Sequence, residues 1–172
     1  MGVASDFYFI PTSFVANLEV YMSSNMEIDR KTCQVLIIED DQDDAFLLKR
    51  ALNAAALEHG ITLGLSHSVN GLDALGSVAR ADILSRLPAV IIVDLNMPVL
   101  DGGRFLDFLR ADMQLGGVPA VVLTTSTEKP VHAQALASGA NAVFSKPDTQ
   151  EELVEIARDI LRMGGCVSPQ AH

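Results

Sequence analysis

The sequence has only two cysteines, few basic residues and no long apolar run, and each shortage excludes a class of protein. Cys33 and Cys166 lie far apart and outside any CxxC arrangement. We therefore expect neither a disulfide framework nor a zinc site, and a reducing cytoplasm is the natural location. Lys and Arg number 12 against 22 Asp and Glu, which gives a net charge of −10. Because so acidic a surface repels phosphate backbones and anionic lipids, it disfavours partners such as nucleic acid or a membrane surface. No apolar run approaches the roughly 18 residues of a membrane-spanning helix.

The N-terminal segment does not follow the pattern of the rest of the chain. It lacks basic residues and is interrupted by Pro11, so it fits a signal peptide poorly. The run FYFIPTSFVANLEVYM is apolar enough to pack on the domain or to act as a dimer arm in a homodimer. Equally, the biological start could be Met22 or Met26. We divide the chain into an N-terminal extension (1–31), a domain (32–165) and a short C-terminal tail (166–172).

From residue 34 onward, short apolar segments alternate with segments of helical spacing. The predicted strands are 34–39, 62–68, 88–95, 119–125 and 141–145. The predicted helices are 45–60, 71–86 with Asn70 as N-cap, 104–113, 128–139 and 149–163. The runs QVLII, AVIIV and AVVL are continuously apolar, which is typical of parallel strands buried on both faces. The pattern predicts an α/β fold with helices on both sides of a parallel sheet.

Polar residues stand where these strands end. They are Glu39, Asp40 and Asp41 after the first strand, Asp94 after the third, Thr124 and Thr125 at the fourth, and Ser145 and Lys146 at the fifth. Ligands of such sheets bind outside the carboxyl ends of the strands. We therefore expect one crevice to contain three acids, a hydroxyl and an ammonium, from Glu39, Asp40, Asp94, Thr124 and Lys146. Carboxylates about 4 Å apart repel by roughly 1–4 kcal/mol per pair. A fold tolerates this repulsion if one acid takes up a proton or if a cation lies between them.

The donor set indicates which cation and which chemistry. Oxygen ligands without His or Cys favour Mg²⁺ or Ca²⁺ over zinc, and few protein ligands beside a phosphate favour Mg²⁺. A carboxylate beside a metal, a lysine and a hydroxyl is suited to forming an aspartyl phosphate, with the cations neutralising the transferred group.

These motifs resemble a response-regulator receiver domain of two-component signalling. The matching segments are VLIIEDDQDD, VDLNMPVLDG, VVLTTS and FSKP, in that order on the predicted strands. Asp94 and Thr124 are 30 positions apart, and Thr124 and Lys146 are 22 apart, as in that family. The resemblance covers about three-quarters of the chain and is nearest to stand-alone receivers, including those paired with phytochrome-type kinases. It implies a doubly wound, flavodoxin-like five-stranded sheet of order 2-1-3-4-5 and a bacterial, cytoplasmic phosphoprotein.

The resemblance also implies a role for each residue. Asp94 would accept a phosphoryl group from a sensor histidine kinase or phosphotransfer protein. Mg²⁺ would be held by Asp40 and Asp94, by Glu39 through water, and by the backbone carbonyl of Asn96. Lys146 and Thr124 would bind the phosphoryl oxygens, and Asn96 and Ser126 would tune dephosphorylation. The protein would then be no enzyme beyond its own phosphorylation and slow autodephosphorylation, and it would signal through a protein target.

Several positions depart from the family or keep a second interpretation. Val143 occupies the position of the usual switch aromatic, and Phe144 should face the other side of its strand. Thr125 is larger than the usual small residue, and Asp148 replaces an apolar contact. Asp43 and Asp44 are interpreted as helix starters that suit the helix dipole, while Asp41 fits either role. Lys146–Pro147 predicts a shaped turn, for which a cis peptide is one form. The four histidines have no ligand spacing.

Three other functions would use parts of the same pattern. A haloacid-dehalogenase-type phosphatase needs a second Asp where Asn96 stands. A flavin or nucleotide module needs a phosphate loop where EDDQDD would repel phosphate. A phosphorylation-independent interaction domain on the same fold remains the alternative. With no DNA-binding or catalytic appendage in the sequence, output is expected through the face between the fourth and fifth strands, near helix 128–139.

Overall fold

The computed structural model describes residues 32–167; the dimer arm and the alternative starts proposed for residues 1–31 lie outside these residues. Strands and helices alternate five times along the chain. The strands are β1 (Thr32–Ile38), β2 (Thr62–Ser68), β3 (Val90–Val93), β4 (Ala120–Thr124) and β5 (Ala142–Ser145). The helices are α1 (Gln42–Glu58), α2 (Gly71–Ile83), α3 (Gly102–Asp107), α4 (Lys129–Ala137) and α5 (Gln150–Met163). A π-helical turn, Phe108–Asp112, continues α3.

The five strands form one parallel sheet in the order β2-β1-β3-β4-β5. Val35 lies opposite Val90 across β1 and β3, and Ile91 lies opposite Ala120 across β3 and β4. The strand order reverses direction between β1 and β3, which opens a crevice at their carboxyl ends. The predicted α/β class and strand order are confirmed.

Helices cover both faces of the sheet, because alternate strand residues point into two separate cores. Leu36 and Ile38 pack with residues of α2, α3 and α4, including Phe105. Val35 and Ile37 pack on the other face with residues of α1 and α5. The continuous apolar runs of the sequence therefore serve two cores at once. Within residues 32–167, no helix has both the length and the apolar character needed to span a bilayer.

Side-chain caps fix where the helices begin. Asn70 caps α2 as predicted, accepting a hydrogen bond from the Asp73 N–H at 2.9 Å. Asp41 caps α1, accepting from the N–H groups of Asp43 and Asp44 at 2.8 and 3.1 Å. A cap carboxylate satisfies backbone donors that the first turn leaves without partners. Asp41 is therefore a helix cap, which decides between its two interpretations.

The structure corrects one sequence-based expectation and decides one open alternative. Cys33 and Cys166 form a disulfide, with a Cα–Cα distance of 5.6 Å across 133 residues of chain. The expectation of no disulfide is wrong, because the fold brings the start of β1 next to the residues after α5. Cysteine usage therefore no longer argues for a reducing cytoplasm. No cis peptide occurs within residues 32–167. The turn at Lys146–Pro147 is thus formed with a trans bond.

Candidate functional site

The carboxyl ends of β1 and β3 bring three acids together. Glu39 and Asp40 follow β1, and Asp94 follows β3. The Asp94 N–H donates to the Ile38 carbonyl at 3.0 Å, so the two strands remain paired up to the acids. Carboxylate oxygens of Glu39, Asp40 and Asp94 all lie within 4.8 Å of one another. Asp94 thus forms one anionic cluster with two acids that precede it by 54 and 55 positions.

Burial makes two of these carboxylates costly to ionise. Glu39 and Asp94 are only 4% and 7% exposed, whereas Asp40 is exposed. Burial raises the pKa of Glu39 and of Asp94 above their ordinary values, and the nearby Lys146 ammonium offsets part of that rise. Removing a carboxylate from water disfavours its charged form unless a cation or hydrogen-bond donor compensates.

Lys146 places a cation against this cluster from the end of β5. Its Nζ lies 2.7 Å from Glu39 Oε2, 2.7 Å from Asp44 Oδ2 and 3.7 Å from Asp94 Oδ2. Burial alone would lower the pKa of Lys146, but the hydrogen bonds to Asp44 and Glu39 raise it above its ordinary value. The lysine is therefore charged at neutral pH and neutralises part of the acidic cluster.

The acidic cluster fits a hard divalent cation. Its donors are carboxylate oxygens, and the only such cluster among residues 32–167 contains neither His nor Cys. Asn96, whose backbone carbonyl is a further predicted ligand, is exposed in the loop after β3. Oxygen donors with open coordination positions suit Mg²⁺, which retains several waters. The sequence-predicted ligand residues are compatible with such an ion.

A glycine keeps the loop after β3 close to Asp94. Gly102 is buried, and its N–H donates to the Leu95 carbonyl at 3.1 Å. A Cβ at this position would collide with the Asp94 carbonyl oxygen. Any side chain here would push α3 away from the end of β3, so Gly102 shapes the turn that carries Asp94.

Thr124 ends β4 with a buried hydroxyl that is tied to the following loop. Its Oγ1 accepts a hydrogen bond from the Ser126 N–H at 3.2 Å. The Ser126 carbonyl in turn lies 2.7 Å from Nε2 of His132 on α4. His132 therefore connects the loop after β4 to α4. The spacing of the histidines in the sequence does not predict this contact.

Val143, at the switch position, and its neighbour Phe144 lie on opposite faces of β5. Val143 packs with the core on the α2–α4 side, and Phe144 packs with the core on the α1–α5 side. The prediction that Phe144 faces away from Val143 is confirmed. Thr125 and Asp148 are both exposed. No aromatic residue thus occupies the face of β5 that adjoins α4.

Asp44 contacts Lys146 at the candidate site, which the sequence pattern does not predict. As its interpretation as a helix starter predicts, Asp44 lies in the first turn of α1. Its carboxylate also bonds Lys146, which is 102 positions away. The available signal was its place three residues after the Asp41 cap, at a helix end that follows the acidic strand end.

Comparisons with known proteins bear on the family and the fold of the chain. The family described as response regulator receiver domain matches residues 35–158. The transcriptional regulatory protein PrrA of Mycobacterium tuberculosis is 32% identical over 132 residues, which are 77% of this chain and 51% of PrrA. The chain thus spans about half the length of that relative. The response regulator RPA3017 in red light signaling of R. palustris is 28% identical with a TM-score of 0.66, covering 76% of this chain and 92% of that one. The phosphorylated cyanobacterial phytochrome response regulator RcpA shares the fold, with 22% identity, a TM-score of 0.67 and the same coverage, 76% and 92%.

Proposed function

Because the chain belongs to the response regulator receiver domain family, we propose that Asp94 accepts a phosphoryl group from a phosphohistidine of a partner protein. The single observation that carries this proposal is the juxtaposition of Asp94 with Glu39, Asp40 and the Lys146 ammonium. A sensor histidine kinase or a phosphotransfer protein is the donor. The likeness to a response regulator in red light signaling supports a phytochrome-type kinase as the first donor to test.

The reaction exchanges one phosphorus bond for another. An Asp94 carboxylate oxygen attacks phosphorus, the P–N bond breaks, and the imidazole leaves with the electron pair and takes a proton. Lys146 Nζ, which lies 3.7 Å from Asp94 Oδ2, donates to a phosphoryl oxygen as charge develops there. Water later attacks phosphorus and restores the carboxylate and inorganic phosphate. Asn96 and Ser126, on the two loops flanking the acceptor, set the access of that water.

We propose that Mg²⁺ is held by Asp40 and Asp94, by Glu39 through water, and by the Asn96 carbonyl. When bound, the ion neutralises charge on the phosphoryl oxygens and on the acidic cluster. Glu39 and Asp94 are costly to ionise because they are buried, so a cation there offsets their repulsion. Since the protein modifies only itself, it acts as a signalling protein and not as an enzyme that turns over a substrate.

Output follows from the hydrogen bonds of Thr124. When its hydroxyl turns toward a phosphoryl oxygen, the Ser126 N–H loses the acceptor that now lies 3.2 Å away. The Ser126 loop then shifts, and His132 transmits the shift to α4, on which Leu136 is 49% exposed. We propose that the α4–β5 face binds the downstream protein. Substitutions on this face that leave the partner's affinity equal for phosphorylated and unphosphorylated protein would overturn this assignment.

Kinases that use ATP act in the cytoplasm, so we place this phosphoryl transfer there.

The decisive experiment is phosphorylation by acetyl phosphate with Mg²⁺, followed by intact-mass spectrometry. We expect a stoichiometric burst of one phosphoryl group per chain without rapid phosphate turnover, and no burst in Asp94→Asn. Rapid continuous release of phosphate would indicate a phosphatase instead. Full signalling by Asp94→Asn would support the alternative, a phosphorylation-independent interaction domain. The matched control is Asp101→Asn, which removes a charge from the cap of α3 outside the acidic cluster.

A further inference from the structure

Lys146 uses only part of its hydrogen-bonding capacity. An ammonium has three N–H donors. Two of them reach Glu39 and Asp44, each at 2.7 Å, while Asp94 remains at 3.7 Å. The third donor is therefore left for a group that arrives on Asp94. The third donor can reach such a group only if the ammonium is held at a fixed distance from Asp94.

The two carboxylates that hold Lys146 differ in their other duties. Glu39 belongs to the cluster of oxygens within 4.8 Å that fits a cation, and Asp44 does not. Glu39 is almost fully buried, whereas the Asp44 side chain is 41% exposed. Asp44 is therefore the partner of Lys146 that lies outside the cluster suited to a cation.

The position of Asp44 is itself fixed by the start of α1. Its N–H donates to the Asp41 cap at 3.1 Å. This hydrogen bond fixes the backbone of Asp44 in the first turn of the helix. The Lys146 N–H donates to the Thr124 carbonyl at 2.7 Å, which fixes the backbone at the other end of the pair. Both residues of the Asp44–Lys146 pair are thus anchored on rigid elements.

We propose that Asp44 is a positioning residue that holds the Lys146 ammonium beside Asp94 with one donor free for the phosphoryl group. The inference rests on the proposed phosphoacceptor function and adds a residue to it. Without Asp44, the Lys146 ammonium moves toward Glu39 and Asp94 and competes with the cation for their oxygens. It then no longer lies where it can donate to the phosphoryl group.

The test compares two substitutions that remove the same charge. Asp44→Ala removes the acceptor, whereas Asp44→Asn keeps a carbonyl oxygen that can still accept from Lys146. We measure the Mg²⁺ dissociation constant by calorimetry and the phosphorylation rate with acetyl phosphate at saturating Mg²⁺. We expect Asp44→Ala to weaken Mg²⁺ binding about threefold more than Asp44→Asn and to slow phosphorylation roughly tenfold, the effect of losing about 1.4 kcal/mol of transition-state stabilisation.

A second pair of variants separates positioning from a general loss of charge. In a Lys146→Ala background, Asp44→Ala and Asp44→Asn should have the same Mg²⁺ dissociation constant, because the residue through which Asp44 acts is gone. Equal constants for the two Asp44 variants with Lys146 present would overturn the positioning role, and so would a difference that persists without Lys146. If the wild-type protein binds Mg²⁺ but takes up no phosphoryl group, the proposed function fails. The Mg²⁺ constants then still report whether Asp44 holds Lys146.

Discussion

Replacing Asp94 by Asn should stabilise the fold while it removes the proposed function. The Asp94 oxygen lies within 4.8 Å of the Glu39 and Asp40 oxygens and 3.7 Å from Lys146 Nζ. Asn has nearly the same shape and keeps the acceptor for the Leu95 N–H, which lies 2.8 Å from Asp94 Oδ1. The substitution therefore removes a buried charge and little else.

The magnitude follows from these three distances. Two repulsions and one attraction leave a net repulsion of about 0.5–2.5 kcal/mol at effective dielectric constants of about 80 and 20. Because Asp40 is exposed, solvent screens its share. Burial of the Asp94 charge adds a cost in the same direction. We expect Asp94→Asn to increase the free energy of unfolding without metal by about 1 kcal/mol.

The assay is urea unfolding with EDTA and with Mg²⁺. At Mg²⁺ ten times its dissociation constant, the wild-type protein should gain about 1.4 kcal/mol, and Asp94→Asn should lose most of that gain. Asp82→Asn, at an exposed position in α2, is the control and should change stability by less than about 0.5 kcal/mol. A metal-free Asp94→Asn variant that is no more stable than wild type would refute the reasoning.

The same reasoning fixes the pH dependence. Burial raises the folded-state pKa of Asp94 above 3.8 and that of Glu39 above 4.5. The stability that these groups contribute is complete below those unfolded values and is lost as pH rises through the raised values. In EDTA, the advantage of Asp94→Asn over wild type should therefore be largest at pH 8 and shrink as pH falls through the raised pKa of Asp94. An advantage that grows on acidification would contradict this sign.

Three further predictions concern the rest of the domain. Val99 is 74% exposed and has a φ of 68°, a backbone conformation that is costly for a β-branched residue. Val99→Asn should therefore raise the free energy of unfolding by about 1 kcal/mol. An unchanged denaturation midpoint would contradict this prediction. The Cys33–Cys166 disulfide closes a separation of 133 residues, so reductant should lower stability by up to roughly 5 kcal/mol. The Cys33→Ser variant should not respond to reductant, and two free thiols in the untreated protein would disprove the pairing. Arg110 donates to the carbonyls of Gly139 and Val118 at 3.0 and 2.9 Å; because an ammonium cannot span both, thermal unfolding should show Arg110→Lys to be less stable by about 2–3 kcal/mol.

Most of the architecture could be predicted because its signals are local. β2 was predicted with the bounds that it has, 62–68, and Asn70 was predicted as a cap. Each signal depends on neighbours a few positions away, such as an apolar run or a side chain that bonds its own helix. The π-helical turn at 108–112 was not predicted, since its pattern of apolar residues is the same as that of an ordinary helix.

The sequence predicts which residues stand at the site, but it does not predict which side chains contact each other. Glu39, Asp40, Asp94, Thr124 and Lys146 each stand at a strand end, and parallel topology alone places such residues at one edge. Which carboxylates hold Lys146 depends on side-chain packing across more than 100 positions, so Asp44 was interpreted as a helix starter. The roles of these residues in phosphoryl transfer stay predictions.

The sequence by itself determined the alternation of strands and helices, the acids at the strand ends and the family. Tertiary structure alone decided the Asp44–Lys146 pair, the Cys33–Cys166 disulfide and the bridge from Ser126 to His132. The physical reason is range. Backbone propensity, capping and hydrophobic period act between near neighbours, whereas a hydrogen bond between distant residues exists only after the sheet has fixed where each strand ends.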